Sequence, residues 1–450
     1  MLVTLYLAAA AVNLVSVAAM DTGQILTGEE MSVSIRDVLF SVEQHAQASV
    51  WSTNFGAPVF YWVASHLDQD YSLFSARRWK ACAMALLAPL VYLVLLRRLG
   101  CARPAATLGA ATAVLLPGVA MFGWLATENG LETVLGAAGL YCATSARRVR
   151  RAAPLLAGLA VTTHTSGLAW AVVILAVYVV RAARPDGAGR HHRPVRPWVR
   201  VLDVLSALVV PVAVVCFPLL WWTVGPKRII SGGGVWDGDA LANLGNLGHQ
   251  LAVDGESYYF PGTDPALGST ALAVAALLAA VLATRRRAVW PWLAVAAGTV
   301  VLWLPAGNAP GVRRAIALSV VAALVLAVAV DMAWRATGVR TAVPVAAAAV
   351  LVLLPLLGST VTWQESFASG ERRLVADFRV LPGPMPATFA RWDLQLRTGV
   401  LTPRVMIDHF DGLRTMAVVW MLADRTGKGT NHLPRPEEIV AVTTPVNPRG

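Results

Sequence analysis

Apolar residues in this chain come in repeated runs of about 17 to 22 residues, the length at which a helix rising 1.5 Å per residue crosses a hydrocarbon core of roughly 30 Å. A soluble chain of 450 residues would alternate apolar and polar positions at helical or strand period, and no such alternation dominates here. The apolar runs must be helices, because open strands leave backbone groups unpaired in lipid and the alternating pattern of a barrel is absent. The expected fold class is therefore all-α and polytopic, with about eleven transmembrane helices.

The spans read at 2–20, 77–96, 104–125, 130–146, 153–162, 166–182, 201–223, 269–284, 288–305, 314–334 and 342–361. The run from 153 to 182 is too long for one span and is interrupted by Thr162, Thr163, His164, Thr165, Ser166 and Gly167, so it divides into a short helix and a full one. No Lys or Arg precedes the first run, so the basic flank of a signal peptide is missing and a retained first span is expected. Four cysteines, Cys82, Cys101, Cys142 and Cys216, fall in apolar runs or a short basic loop without metal-ligand spacing, and neither a disulfide nor a zinc site is expected.

A net charge of +11 would suit a nucleic-acid partner if it formed a patch, but most of the arginines sit in short clusters between apolar runs. That distribution encodes topology, and no nucleic-acid partner is expected. One set of alternate loops holds Arg97, Arg98 and Arg103, then Arg147, Arg148, Arg150 and Arg151, then six arginines from Arg181 to Arg200, then Arg285, Arg286, Arg287, Arg335 and Arg340. The opposite loops are longer and hold only Arg36, Arg77, Arg78, Lys80, Lys227, Arg228, Arg313 and Arg314. The first set is cytoplasmic by the positive-inside rule, and the cell membrane is the expected location. The eleven basic residues beyond 362 do not alter this, since long segments translocate largely regardless of charge. The chain thus divides into a transmembrane domain, 1–361, and a small C-terminal extracytoplasmic region, 362–450. In the first outer loop, Ile35–Val50 and Ala57–Leu67 read as helices lying on the membrane surface. The loop at 182–200, rich in Arg, Pro and Gly and carrying His191 and His192, reads as a flexible cytoplasmic segment touching anionic lipid.

Several ionisable residues at the outer face stand out. Glu29 and Glu30 follow the first span, and carboxylates held at an interface are suited to taking a proton from a hydroxyl; their plainer reading is as solvated loop acids. Arg78 and Lys80 lie at the outer end of the second span, with Arg313 and Arg314 opening the tenth, where the charge rule disfavours cations. A bound phosphate explains such placement, and so does headgroup anchoring. Glu128 and Glu132 begin the fourth span with no cation nearby in sequence; they either complement the helix dipole or mark a functional site. His164, in the break between spans, either contacts an anionic ligand or satisfies the frayed backbone. Asp237 and Asp239 flank Gly238 in a DxD triplet, but a lone triplet outside the cytoplasm is weak support for a metal, and no metal site is expected.

In order along the chain, these elements resemble the GT-C superfamily of membrane glycosyltransferases, in particular the family 39 branch of protein O-mannosyltransferases and lipid A aminoarabinose transferases. GEEMSV stands where the family has an acidic pair after its first span, with Glu29 in place of the usual Asp. NFGAPVFYWVASHL resembles the motif HPPLYYWLL at Pro58, Tyr61 and Trp62, without its His and one of its prolines. ARRWKACAMALLAPL resembles RLPSALLGAL, with Arg78 at the family Arg, and TENGLETVL resembles QEARPYAL, with Glu128 at its acid. GLAVTTHTSGL resembles GLALLTKYTAL, with His164 where Lys is common, and GVRRAIAL resembles a GxRY helix start, with Arg313 at the Arg and Arg314 replacing the aromatic.

The resemblance implies transfer of a sugar, with inversion, from a polyprenyl-phosphate donor to a hydroxyl on a protein or envelope glycan at the outer membrane face. Glu29 or Glu30 would be the base, with Glu128 as a further acid, while Arg78, Lys80, Arg313, Arg314 and His164 would hold the lipid phosphate. The partners implied are membrane lipid, lipid-linked sugar and that acceptor, and no cofactor is implied. The alternative is a non-catalytic protein on the same scaffold that binds lipid-linked sugar or assists envelope assembly; it would keep the cations without needing the acids. A transporter fits less well, since no paired inverted repeat is evident. The topology predicts that alkaline phosphatase fused after Gly450 is active and that a fusion within 182–200 is inactive; the opposite pattern would invert the assignment.

Overall fold

The computed structural model describes residue 67 and residues 73–125, 129–183, 197–223, 239–255, 264–304, 316–337 and 352–365, with side chains described except at 73–78, 124 and 216–223. Every regular element among them is helical. The helices are α1 (Leu73–Arg98), α2 (Arg103–Leu115), α3 (Pro117–Trp124), α4 (Leu131–Thr144), the short α5 (Arg147–Arg150), α6 (Ala153–Thr163), α7 (Gly167–Ala183) and α8 (Pro197–Thr223). They continue with α9 (Ala240–Ala252), α10 (Thr270–Ala283), α11 (Trp290–Trp303), α12 (Ile316–Thr337) and α13 at 352–365. Three helical stretches, Trp79–Arg98, Pro197–Val215 and Ile316–Ala336, are long and apolar enough to cross a membrane alone. The expected span at 2–20 and the two surface helices lie outside the described residues, Leu67 excepted.

The expected span at 104–125 is two helices, α2 and α3, meeting at 65°. Proline causes the break: Pro117 has no N–H to continue the ladder, and Leu116 before it adopts φ −56°, ψ 128°. A carbonyl freed by such a break inside lipid needs a partner from elsewhere in the protein. The Leu115 carbonyl lies 3.0 Å from the hydroxyl of Thr360, on α13, which it shares with the Leu356 carbonyl at 2.8 Å. α13 is held in turn by the 264–268 turn, where Trp363 Nε1 donates to the Asp264 carbonyl at 2.8 Å and Ser359 Oγ to Asp264 Oδ2 at 2.8 Å. The polar interruption in 153–182 also appears as expected, with α6 ending at Thr163 and α7 beginning at Gly167.

α4, α6 and α7 pack on one another, with α8 against α6 and α7; α12 packs against α2, α10 and α11, and α1 bridges α2 and α4. Between apolar helices in lipid, close approach of small residues replaces the hydrophobic drive available in water. Gly136 on α4 admits the buried indole of Trp170 on α7, which stands edge-on to Trp292 of α11 at 5.7 Å. A Cβ at Gly136 would lie 2.3 Å from Trp170 Cγ, and one at Gly109 would lie 2.3 Å from Ala327 Cβ, at the α2–α12 contact.

The arginine-rich loops converge on one end of the bundle. Asp331, fully buried on α12, takes the Ala102 N–H at 2.7 Å, Arg286 Nη2 at 2.7 Å and Arg335 Nε at 3.0 Å, tying together three of those loops. Asp203 on α8 takes Arg147 at 2.7 Å and Arg151 at 3.3 Å. Arg98 and Arg181 both donate to the Thr144 carbonyl at 2.6 Å. Gly136→Ala is expected to displace Trp170 and cost about 1–3 kcal/mol, whereas Gly245→Ala, with open space at its Cβ, leaves thermal unfolding in detergent unchanged. Equal melting temperatures for the two variants would refute the close α4–α7 contact.

Candidate functional site

At the other end of the bundle, three chain segments that are apolar on average bring buried polar side chains together. Lys80 enters from the first turns of α1 and is fully buried. Its ammonium donates to the Phe122 carbonyl at 2.9 Å and the Asn129 carbonyl at 2.6 Å. Phe122 belongs to the last turn of α3, whose terminal carbonyls have no partner within the helix, so a cation there satisfies a backbone acceptor and faces the negative end of the helix dipole. The Asn129 carbonyl begins the next helix entry. Gly130 follows with φ +96°, a left-handed conformation that glycine adopts without strain, and turns the chain into α4; a Cβ there would lie 3.3 Å from the Phe122 carbonyl oxygen.

Glu132, the second residue of α4, is buried at 1% exposure. Its position in the first turn suits the positive helix end. Oε1 accepts the Ser166 hydroxyl at 3.2 Å and that of Thr133 at 3.4 Å, while Oε2 has no hydrogen-bond partner among the described residues. The Lys80 ammonium lies within electrostatic reach of this carboxyl. The cation missing from the sequence neighbourhood of Glu132 is thus supplied by a residue 52 positions earlier, from another helix.

His164 sits in the break after α6 and is buried beside Trp303, with ring centroids 6.3 Å apart. Its Nδ1 accepts the Ser166 backbone N–H at 3.1 Å and lies 2.6 Å from Ser166 Oγ. This contact is the backbone-satisfying one of the two roles open to His164. The break is tight: the Gly167 N–H bonds the His164 carbonyl at 2.9 Å, and a Cβ on Gly167 would lie 2.1 Å from the Ala160 carbonyl.

Of the site residues expected from sequence, Lys80 and His164 are described, and Glu132 and Ser166 bridge the segments that carry them. Arg78 lies on α1 two residues before Lys80, with its side chain outside the described set. Glu29, Glu30, Glu128, Arg313 and Arg314 lie outside the described residues. Asp239 of the DxD triplet is the N-cap of α9, its Oδ1 accepting the Leu241 and Ala242 N–H groups at 2.9 and 3.2 Å, which is a capping role. Among the described residues no cluster of His, Cys, Asp and Glu has the makings of a metal site.

No family model matches the chain, and no curated protein matches it in sequence. Among solved structures it is similar to ArnT from Cupriavidus metallidurans bound to undecaprenyl phosphate, at TM-score 0.52 and 15% identity over 98% of this chain and 75% of that one. The apo state of the same protein aligns at TM-score 0.50 and 15% identity, over 98% of this chain and 74% of that one. The chain has a GT-C fold. The apo oligosaccharyltransferase of Archaeoglobus fulgidus aligns at TM-score 0.48 and 13% identity, over 97% of this chain and 60% of that one. The likeness to ArnT establishes the fold and does not reach the family 39 branch.

Within this GT-C fold, Lys80 is expected to couple to Glu132. Lys80→Met strands two buried carbonyls and is expected to lower stability by about 3 kcal/mol. Adding Glu132→Gln to it should cost at least about 1 kcal/mol less than the sum of the single changes. Denaturation of the four proteins in one detergent measures this, and strict additivity would separate the two groups.

Proposed function

We propose that this chain transfers a sugar from a polyprenyl-phosphate donor to a hydroxyl of a protein or envelope-glycan acceptor at the outer membrane face. The observation that carries the reading is the buried group of Lys80, Glu132 and His164 in a GT-C fold, at the end of the bundle opposite the arginine loops. Ionisable side chains are costly inside a membrane protein and mark function by default. The likeness to a structure of ArnT that holds undecaprenyl phosphate supports a lipid phosphate as a group this chain holds.

In the proposed reaction a carboxylate, Glu29 or its neighbour Glu30, removes the acceptor hydroxyl proton. The acceptor oxygen bonds to the anomeric carbon as the bond from that carbon to the phosphate oxygen breaks, with inversion, and polyprenyl phosphate leaves. Negative charge grows on the departing phosphate, so cations placed there stabilise the transition state more than the ground state. Arg78 and Arg313, with Arg314 beside the latter, are assigned to that phosphate by their placement against the charge rule. Two of the Lys80 donors go to carbonyls, so Lys80 is assigned a supporting charge behind them. Glu128 is assigned as a further acid of the reaction, as the motif resemblance implies.

Mass analysis of glycans and glycoproteins from cells with and without the gene is expected to reveal one missing hexose or pentose, which identifies sugar and acceptor together. With that pair, Glu29→Gln is expected to lower turnover about 10²-fold or more with little change in donor binding, and Glu30→Gln to lower it less. Full transfer by both variants would rule out both residues as the base. An unaltered glycan profile, together with no binding of undecaprenyl phosphate by the purified protein, would overturn the function.

A further inference from the structure

Two aspartates at the arginine-rich end neutralise four of its cations: Asp203 takes Arg147 and Arg151, and Asp331 takes Arg286 and Arg335. A further group of arginines is held differently. Arg98, the last residue of α1, and Arg181, in the last turn of α7, both donate to the carbonyl of Thr144, the last residue of α4, at 2.6 Å. A carbonyl oxygen has two lone pairs and accepts both bonds, but it carries no charge to set against two guanidinium groups. The two donor nitrogens lie at most twice that distance apart. Arg150, on α5, extends the group by donating to the Arg181 carbonyl at 2.7 Å, and its buried Nε has no hydrogen-bond partner among the described residues. Arg98 and Arg150 thus reach carbonyls and, among the described residues, no carboxylate.

Like charges gathered this closely repel unless an anion is shared among them, and the guanidinium fork matches the oxygens of a phosphate in pairs. The surroundings choose the source of that phosphate. The arginines stand where α1, α4 and α7 end, the level of lipid headgroups in a membrane fold, and exposed apolar side chains adjoin them. Val149 on α5 and Val180 on α7 are 43% and 49% exposed, and Leu87, three turns before Arg98 on the same face of α1, is 50% exposed. A soluble anion needs only the cations, whereas a phospholipid uses the cations and the apolar surface together.

We propose that Arg98, Arg150 and Arg181 form a binding site for the phosphate of an anionic phospholipid, in the leaflet at the end of the bundle opposite Lys80, Glu132 and His164. The site is independent of the sugar transfer proposed above. The bound headgroup ties the ends of α1, α5 and α7 to one another, so the lipid stabilises the bundle by mass action.

Native mass spectrometry of the full-length protein, purified in a non-ionic detergent and titrated with dioleoyl phosphatidylglycerol, tests the site. Wild type is expected to bind this lipid about tenfold or more tightly than dioleoyl phosphatidylcholine. Arg98→Gln combined with Arg150→Gln removes two charges while leaving an amide donor at each position, and is expected to weaken phosphatidylglycerol binding about tenfold or more. Arg285→Gln combined with Arg287→Gln removes the same charge from exposed positions at the same end, outside the Thr144 group, and is expected to stay within about twofold of wild type. Equal loss in the two double variants would reduce the site to general surface charge and overturn the proposal, as would equal binding of the two lipids by wild type. Glycerophosphoglycerol, the same headgroup without chains, separates a lipid from a soluble anion: competition at concentrations comparable to the lipid's would overturn the lipid assignment. Should the Arg98 and Arg150 double variant fail to fold, Arg98→Gln alone, which leaves Arg181 on the Thr144 carbonyl, decides the matter. A loss of about threefold or more supports the site, and unchanged binding removes it.

Discussion

A chain that lives in lipid must satisfy its own backbone, and most of what is distinctive in this structure follows from three places among the described residues where its helices are broken. At Leu116 and Pro117 the ladder stops because proline cannot donate, and a threonine from α13 takes up the Leu115 carbonyl. At His164 to Ser166 it stops where polar residues interrupt an apolar run, and an imidazole nitrogen takes up the Ser166 N–H. Each repair imports a polar side chain into the interior. The break between α3 and α4 has the same character, with Lys80 taking carbonyls on either side. Two of these three repairs share the site, so its polarity grows from the demands of the backbone before any ligand is considered.

The opposite end of the bundle follows another rule. There the cations are numerous, and two aspartates organise them. Asp331 is buried completely and joins elements from three parts of the chain, while Asp203 collects the arginines that follow α4. Arginine suits this role because its fork spans a carboxylate and a carbonyl together, as Arg335 does between Asp331 and Gly100. The positive-inside pattern is thus a feature of the fold as well as of insertion, since the same residues lock the loops to one another.

Much of the scaffold was legible in the sequence. Apolar run length located α1, α4, α7, α8, α10, α11 and α12 within a few residues, and the polar interruption at 162–167 placed the break between α6 and α7. The bend at Pro117 was missed because both halves are apolar, so the hydropathy pattern stays continuous while the ladder does not. At the site, Glu132 was legible as an intramembrane acid and Lys80 as a misplaced cation, each from a local rule. Their meeting was not legible, because it depends on how α1 packs beside α4, which neither periodicity nor spacing encodes. Ser166 carried no signal of its own: serine in a polar break is ordinary, and only the positions of His164 and Glu132 make it a bridge. The capping role of Asp239 was readable in principle, since an aspartate directly before a helix is a common N-cap, but the DxD triplet was weighed only for metal, which it supports weakly.

The bond from Thr360 to the Leu115 carbonyl joins residues 245 positions apart. At roughly 5–20 residues per second of synthesis, the acceptor leaves the ribosome on the order of ten to fifty seconds before its donor exists. During that interval the bend between α2 and α3 has an open carbonyl that only water or the insertion machinery can occupy. The N-terminal half therefore reaches the bilayer unfinished, and the arrival of α13 is the event that closes it. A nascent chain stalled before that helix would present a wet defect at the bend, the kind of feature by which membrane quality control can tell an incomplete product from a finished one.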